Sequence, residues 1–306
     1  MTEPTRATYS SQTLSLNAWH WGDPANPPLL LVHGGLDHAR SWDWIARELA
    51  ADWHVVAPDL RGHGDSDWAS ASGYPMMNFV YDLGEIVRQL GWDRFTLVGH
   101  SLGGNIALRY AGLFPDRIER LVSIEGLGPS PDMLAKRVEK GIENRLRDWF
   151  DDVRVASGRS HRAYASVADA EARMRAANAH LSEDQVRHLT EHGLRRDGEG
   201  GEVGGGKGER GWRWKFDPMI RAWCPLDITQ DEIHALWGKI ACPTWLAYGG
   251  KSWASNPAED GRDAYFSNAH VTLYEEAGHW LHHDAFDTFM ADLHAFVSKF
   301  RDSRCK

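Results

Sequence analysis

A serine flanked by small residues is the clearest chemical feature of this 306-residue sequence. Residues 99–103 read Gly-His-Ser-Leu-Gly, directly after the apolar run Phe95 to Val98 and before a helical stretch, Asn105 to Leu113. A strand, a sharp turn and a helix in that order hold a serine hydroxyl above the edge of a sheet, beside a helix N-terminus. Such a serine can attack a carbonyl carbon, so Ser101 is the candidate nucleophile. A serine in an ordinary glycine-rich turn is the alternative, because a bare five-residue match also arises by chance.

A second group of small residues could stabilise the charge that this attack creates. Residues 33–35 read His-Gly-Gly and follow the apolar run Leu29 to Val32. Glycine lets a backbone N–H face an incoming carbonyl oxygen, so the N–H groups of Gly35 and Leu102 are the predicted donors of an oxyanion hole. A glycine turn without chemistry is the alternative here.

Apolar runs that are typical of buried strands alternate with amphipathic helical stretches on both sides of the middle of the chain. The strand candidates are Leu29 to Val32, Val55 to Ala57, Phe95 to Val98, Leu121 to Ile124, Thr244 to Tyr248 and Val271 to Tyr274. One helix is predicted from the apolar periodicity of residues 79–90 and ends before Gly91. This alternation predicts an α/β fold with a mostly parallel sheet and helices on both faces.

The middle of the chain differs from its flanks. Residues 128–237 are rich in charged residues and helix formers and lack strong strand runs, which predicts a helical cap inserted into a core of residues 1–127 and 238–306. Pro131 to Asp152 and Ser166 to His192 are predicted to be helical. Residues 198–211 contain eight glycines, which predicts a mobile loop that gates or flanks the site.

Composition and charge exclude several classes of protein. Lys and Arg total 34 against 43 for Asp and Glu, and the net charge of −9 would repel nucleic acids and anionic membranes. Three cysteines are too few for a disulfide framework or a zinc quartet. The first residues lack a basic region followed by an apolar stretch, and no run of about 18 apolar residues occurs. We therefore expect a cytoplasmic protein with neither a nucleic-acid nor a membrane partner.

Four motifs together resemble those of the α/β-hydrolase superfamily, in its subgroup of capped serine esterases, haloperoxidase-like and dehalogenase-like enzymes. They are HGG at residues 33–35, DLRGHGDS at 59–66, GHSLGG at 99–104 and AGHW at 277–280. The likeness covers residues 15–126 and 238–302 and weakens across the predicted cap. It implies that the histidine of the last motif, His279, is the catalytic base. Dehalogenases and epoxide hydrolases carry an aspartate where this chain has Ser101, which argues for acyl transfer to serine.

The same resemblance implies where the acid of a catalytic triad should be. Most members place an aspartate in a G-x-x-D turn after the strand that here ends at Tyr248, but this chain has Ser252 at that position. Some dehalogenase-like members instead supply the acid from the end of the strand after the nucleophile helix, where this chain has Glu125. Glu125 is therefore the predicted acid, which would orient His279. A solvated or salt-bridged glutamate and an incomplete triad are the alternatives.

These residues predict a cofactor-free serine hydrolase that cleaves a carboxylic ester of a small or medium apolar substrate through an acyl-enzyme. Cleavage of a lactone, thioester, amide or C–C bond would use the same machinery. A different class of function is a catalytically inactive hydrolase fold that binds a ligand or a partner. The oligomeric state stays open.

Four tryptophans are candidates for the lining of an apolar substrate pocket: Trp42, Trp212, Trp214 and Trp280. Ordinary core packing explains each of them about as well. No metal site is predicted from the histidines of residues 279–284, because no second group of ligands has suitable spacing. The G-x-G-x-x-G match at residues 206–211 neither follows a strand nor opens a helix, so no dinucleotide cofactor is predicted.

Overall fold

An eight-stranded sheet with helices on both faces organises the molecule. The computed structural model describes residues 3–70, 73–158, 162–196 and 211–298. The strands within these ranges are β1 (Thr5–Ser11), β2 (Leu14–Trp21), β3 (Pro28–Val32), β4 (His54–Pro58), β5 (Phe95–His100), β6 (Ile118–Ile124), β7 (Leu194–Arg196), β8 (Trp212–Trp214), β9 (Thr244–Gly249) and β10 (Ala269–Tyr274). β7 and β8 form a separate antiparallel pair.

The helices of the described ranges alternate with the strands of the large sheet, apart from a group of four between β6 and β7. The α-helices are α1 (Asp43–Leu49), α2 (Met76–Leu90), α3 (Leu102–Leu113), α4 (Pro131–Lys140), α5 (Ile142–Ser157), α6 (Val167–Ala177), α7 (Glu183–Gly193), α8 (Gln230–Trp237), α9 (Pro257–Asp260), α10 (Leu281–Asp284) and α11 (Phe286–Ser298). Short 3₁₀ turns lie at Ala39–Trp42, Pro115–Arg117, Pro218–Arg221 and Arg262–Tyr265.

The strands of the large sheet lie in the order β1-β2-β4-β3-β5-β6-β9-β10. β1 pairs antiparallel with β2 and β2 antiparallel with β4, while all other neighbours are parallel. The predicted α/β fold with a mostly parallel sheet is therefore confirmed. All six predicted strands are present, whereas the β1–β2 hairpin was not predicted.

Apolar side chains fill both spaces between the sheet and its helices. α2, α3 and α8 cover one face, and α1 and α11 cover the other. Because β3, β5, β6, β9 and β10 run in the same direction, their carboxyl ends lie at one edge of the sheet. Ligands of open parallel sheets bind outside this edge. The loops that carry the candidate catalytic residues all start there.

The segment between β6 and β9 is mainly helical, but its helices are shorter than predicted. Gly141, with φ of 74°, separates α4 from α5, where one helix was expected. Residues 178–182 separate α6 from α7, and Ser182 begins α7 with a capping box to Gln185. Each break occurs where a residue favours a helix end over helix continuation.

The last helix of the predicted cap belongs to the core layer. α8 packs against α3, and a Cβ at Gly112 would lie 2.5 Å from the carbonyl oxygen of Leu236. Trp237 is fully buried in the same core cluster as the strands. The glycine-rich loop predicted at residues 198–211 lies outside the described residues, except for Gly211. Within the described ranges, no helix is both long and apolar enough to cross a membrane.

Candidate active site

Ser101 lies in a tight turn between β5 and α3. Its φ of 53° and ψ of −114° lie in a region that residues other than glycine rarely adopt. Its N–H donates to the carbonyl of Ile124 at 2.7 Å, and its own carbonyl accepts from the N–H of Asn105 at 3.0 Å. A Cβ at Gly103 would lie 2.2 Å from the carbonyl oxygen of Val32. The glycines of the motif therefore let the turn pack closely against the end of β3, and this packing leaves the serine facing outward.

The two residues predicted to donate to an oxyanion, Gly35 and Leu102, lie close to each other at this turn. Gly35 is exposed, and a Cβ there would lie 3.9 Å from the side chain of Leu102. Leu102 is the first residue of α3, so its N–H belongs to the first turn, whose N–H groups have no acceptor within the helix.

His33 fixes the loop after β3, which carries Gly35. Its Nδ1–H donates to the carbonyl of Gly34 at 2.7 Å, while its Nε2 accepts from the N–H of Leu60 at 3.0 Å. Burial, followed by the nearby His63, lowers the pKa of His33 well below its usual value. A neutral imidazole with one donor and one acceptor fits both bonds.

Glu125 lies directly after β6 and points toward the turn after β9. Its φ is 51° and its side chain has no exposed surface. One carboxylate oxygen, Oε1, accepts from the N–H of Gly249 at 2.8 Å, and Oε2 accepts from the hydroxyl of Ser252 at 2.6 Å. The carboxylate is therefore satisfied by hydrogen bonds without contact with bulk water.

His279 joins the acid to the nucleophile turn. Its Nδ1 forms a hydrogen bond with Oε2 of Glu125, and its side chain is 22% exposed. Its carbonyl accepts from Nε2–H of His100, the residue before Ser101, at 2.9 Å. The structure thus brings Ser101, Glu125 and His279 together at one edge of the sheet, although they are far apart in sequence.

The buried imidazole of His100 faces the ring of His279 at a centroid distance of 4.8 Å. Burial, followed by the charge of His279, lowers the pKa of His100 well below its usual value. His282, whose ring is 4.5 Å from that of His100, also has a pKa well below its usual value because of burial. Both rings are therefore neutral near pH 7.

The four tryptophans predicted to line a pocket lie in different surroundings. Trp42 has no exposed surface and stacks on His282 in the core between the sheet and α1, so for this residue the structure favours core packing. Trp212 pairs through its backbone with Tyr164 in a small cluster beside β7. Trp214 and Trp280 line a cleft.

This cleft lies between the oxyanion loop and the helical segment. Its apolar walls are Leu36, Met174, Leu189, Trp214, Phe216 and Trp280. Lys215 also lines the cleft, but its ammonium pairs with Asp65 at 2.7 Å. Because Leu36 follows Gly35 and Trp280 follows His279, the cleft adjoins the candidate catalytic residues.

One group of potential metal ligands occurs in the described part of the chain. Side-chain ligand atoms of Asp43, His188 and His192 lie within 4.8 Å of one another. The guanidinium of Arg40 binds both oxygens of Asp43, at 2.7 and 2.6 Å, and Arg47 adds a contact at 3.2 Å. A cation would have to displace these groups. The arrangement instead docks α7 on the start of α1.

A family model described as the alpha/beta hydrolase fold matches residues 27–286. The chain belongs to this family. The match spans the sheet, the nucleophile turn and the loop of His279, so the sequence resemblance to α/β hydrolases is confirmed.

Relatives of this α/β hydrolase include animal proteins whose names describe them as serine hydrolase-like or probable serine hydrolases. The "Serine hydrolase-like protein" of Danio rerio is 32% identical over 191 residues, 61% of this chain and 55% of that protein. The "Probable serine hydrolase" of Drosophila melanogaster is 32% identical over 190 residues, 60% of this chain and 55% of that protein. The chain thus spans about half the length of both relatives.

A solved structure extends the likeness over nearly the whole α/β hydrolase. The "Thioesterase Domain From Curacin Biosynthetic Pathway" superposes with a TM-score of 0.80 and 26% identity, covering 95% of this chain and 99% of that domain. The helical segment that the sequence motifs do not cover is therefore part of the shared architecture.

Two residues contact the site in ways that the sequence did not predict. Ser252 donates to Glu125, although the sequence marks it only as the residue that replaces an expected aspartate. Trp253 is 63% exposed, and its ring lies 5.0 Å from that of His279. A tryptophan in a loop carries no periodicity or spacing that would indicate this contact.

Proposed function

We propose that this protein is a serine hydrolase that cleaves a carboxylic ester of a small or medium apolar substrate through an acyl-enzyme. The observation that carries the proposal is the hydrogen bond between His279 and the buried Glu125, beside a serine with φ of 53°. A buried carboxylate on Nδ1 leaves Nε2 as the basic atom of the imidazole, which is the arrangement that activates a serine.

In the proposed acylation, Oγ of Ser101 attacks the ester carbonyl carbon while Nε2 of His279 takes the hydroxyl proton. The carbonyl oxygen becomes an oxyanion that accepts from the N–H groups of Gly35 and Leu102. When the C–O bond of the tetrahedral intermediate breaks, His279 returns the proton to the alcohol that leaves. The acyl group then remains on Ser101.

In the proposed deacylation, a water molecule replaces the alcohol. His279 takes a proton from this water as its oxygen attacks the acyl carbon, and returns it to Oγ of Ser101 as the carboxylic acid leaves. Glu125 stabilises the imidazolium that forms in both steps.

The cleft beside the oxyanion loop has a volume of about 20 Å³, room for about one water molecule, and a mainly apolar lining. Met174, Trp214, Phe216 and Trp280 offer an acyl group aliphatic and aromatic surface, and the charge of Lys215 is already paired with Asp65. Burial of apolar surface in such a cleft contributes roughly 25 cal/mol per Å². The lining therefore favours an apolar over a charged acyl group.

The test is a panel of nitrophenyl esters with graded acyl length, applied to wild type and to Ser101→Ala. We expect Ser101→Ala to lower turnover by at least ~10³-fold, the scale seen when a triad nucleophile is removed. A fluorophosphonate probe should label the wild type and not this variant, because it reacts with an activated serine. Unchanged turnover in Ser101→Ala would move the chemistry elsewhere.

Thioester hydrolysis is a second candidate, supported by the likeness to a thioesterase domain at 26% identity. The same residues would act in the same order, with a thiol as the leaving group. A thioester and an oxygen ester of one acyl group, compared by kcat/KM, distinguish the two. A fold that only binds a ligand would neither hydrolyse these substrates nor react with the probe.

A further inference from the structure

The turn after β9 supplies two hydrogen bonds to the carboxylate of Glu125. The N–H of Gly249 contacts Oε1 at 2.8 Å, and the hydroxyl of Ser252 contacts Oε2 at 2.6 Å. The hydroxyl oxygen of Ser252 also accepts from the N–H of Ala254 at 3.2 Å. Since this N–H occupies the acceptor side of the hydroxyl, the hydrogen of Ser252 is directed to Glu125.

Oε2 of Glu125 has two partners, Ser252 and His279. A carboxylate with no exposed surface depends on such bonds, because burial of a charged group without a partner is strongly unfavourable. Loss of the Ser252 hydroxyl would leave Oε1 held by Gly249 but Oε2 held only by the imidazole that it has to orient.

We propose that Ser252 is a positioning residue, whose hydroxyl fixes the plane of the Glu125 carboxylate so that Oε2 faces Nδ1 of His279. This role rests on the proposed hydrolase function. In most relatives that the sequence resembles, the same turn carries the acid itself. In this chain the turn carries a hydroxyl that holds an acid from the neighbouring strand β6.

Three variants isolate the hydroxyl. Ser252→Ala removes it, whereas Ser252→Thr and Ser252→Val have nearly the same shape and differ in whether a hydroxyl is present. We expect Ala and Val to lower kcat for a nitrophenyl ester about tenfold with KM within about twofold, and Thr to stay near wild type. Thermal melts of all three establish that each variant is folded.

A pH profile separates this role from a structural one. Without the hydroxyl, the charge of Glu125 is shared with one donor fewer, so the protonated form of His279 should persist to higher pH. The acidic limb of kcat/KM should therefore move upward in Ser252→Ala and Ser252→Val. The other titratable groups near this ring are His100 and His282, which stay neutral, and His180 and Asp284, which adjoin Gly278.

Ser255→Ala is the matched control. Ser255 lies in the same loop and also donates to a carboxylate, Asp260, at 2.5 Å, but has no contact with Glu125. Its loss should leave the pH profile unchanged. A wild-type profile and kcat in both Ser252→Ala and Ser252→Val would overturn the proposal, while labelling of Ser101 in wild type would keep the proposed function intact.

A measurement without substrate tests the hydrogen bonds directly. In NMR spectra of the imidazole nitrogens, the His279 signal can be assigned by its loss in His279→Gln. We expect its titration midpoint to move to higher pH in Ser252→Ala and to remain in place in Ser252→Thr and Ser255→Ala. An unmoved midpoint in Ser252→Ala would refute the positioning role even if the wild type hydrolysed none of the esters.

Discussion

Ser101 and Glu125 both have a positive φ, of 53° and 51°. Leu36, next to Gly35, is a third such residue with φ of 64°. Each costs of order 1 kcal/mol or more, because the Cβ atom crowds the backbone. Of the four non-glycine residues with positive φ in the described ranges, only Gln12 lies away from the candidate site. The strain is therefore concentrated where side chains have to leave the ends of strands at unusual angles.

Glu125→Gln should lower kcat by at least ~10²-fold, as measured with the nitrophenyl ester that gives the highest wild-type turnover. Glutamine keeps the shape and an acceptor for the N–H of Gly249. Its neutral side chain, however, no longer stabilises the imidazolium, and its NH₂ group can face the N–H of His279. Turnover equal to wild type would leave a dyad of Ser101 and His279 as the mechanism.

Activity should partly survive when the carboxylate is moved from position 125 to position 252. We expect Ser252→Asp to restore part of the rate lost in Glu125→Gln, because Oγ of Ser252 already lies 2.6 Å from Oε2 of Glu125. In an otherwise wild-type chain, the same change should lower the rate at neutral pH, because two carboxylates would share one site. A double-mutant cycle compares the effect of Ser252→Asp on kcat in the wild type and in Glu125→Gln. Equal effects in both backgrounds would contradict this expectation.

The residues of the candidate site differ in how visible they are in the sequence. Ser101, Gly35 and Leu102 follow from local motifs, because a sharp turn needs small residues at fixed positions. Glu125 required the family resemblance, since no local pattern marks a glutamate at the end of a strand. The location of Trp42 could not be predicted from its residue type, because a tryptophan suits a pocket and a core equally. Only the packing of α1 on the sheet decides between them.

The strand, turn and helix around Ser101 can pack closely because glycines at the contacts have no side chains. Gly103→Ala should destabilise the fold by more than ~2 kcal/mol, because the new Cβ would lie 2.2 Å from the carbonyl oxygen of Val32 and 2.6 Å from that of His33. Gly35→Ala should cost less than ~1 kcal/mol, because its Cβ would meet atoms at no less than 3.9 Å. Urea denaturation of both variants tests this contrast, and equal losses would contradict it.

Element types were predictable where burial imposes a pattern. The six predicted strands are apolar runs, since a central parallel strand is buried on both faces. The β1–β2 hairpin lies at the edge of the sheet, and many of its residues are polar and partly exposed, so it has no such run. Similarly, α8 could not be distinguished from a cap helix, because an amphipathic helix does not reveal which surface it covers.

Buried neutral histidines make the free energy of unfolding depend on pH. Burial lowers the pKa of His38 to about 3, of His63 to about 4 and of His283 to about 3. A histidine with a lowered pKa contributes stability above its unfolded value of about 6.5, and this contribution is lost as the pH falls toward the folded value. Burial raises the pKa of Asp37 to about 7 and also raises the pKa of Asp59, so these two carboxyls act in the opposite direction.

The free energy of unfolding should therefore be lower at pH 5 than at pH 7, as measured by urea denaturation at both values. His63→Asn should reduce this difference by about 2 kcal/mol, because one buried histidine fewer gains a proton on unfolding. Asparagine can still donate to the carbonyl of Arg61, which Nδ1 of His63 contacts at 2.9 Å. If the free energy of unfolding differed between pH 5 and pH 7 by as much in His63→Asn as in the wild type, His63 would not contribute to the pH dependence.

The order of the site residues along the chain has a practical consequence. Ser101, Leu102 and Glu125 come from the consecutive elements β5, α3 and β6, whereas His279 follows the helical segment. A chain cut between α7 and α8 would leave nucleophile and acid on one fragment and the base on the other. Because α8 would stay with the second fragment and packs against α3 of the first, the two pieces share an interface. Ester hydrolysis would then report their reassociation, which makes the molecule a candidate for a split-enzyme sensor.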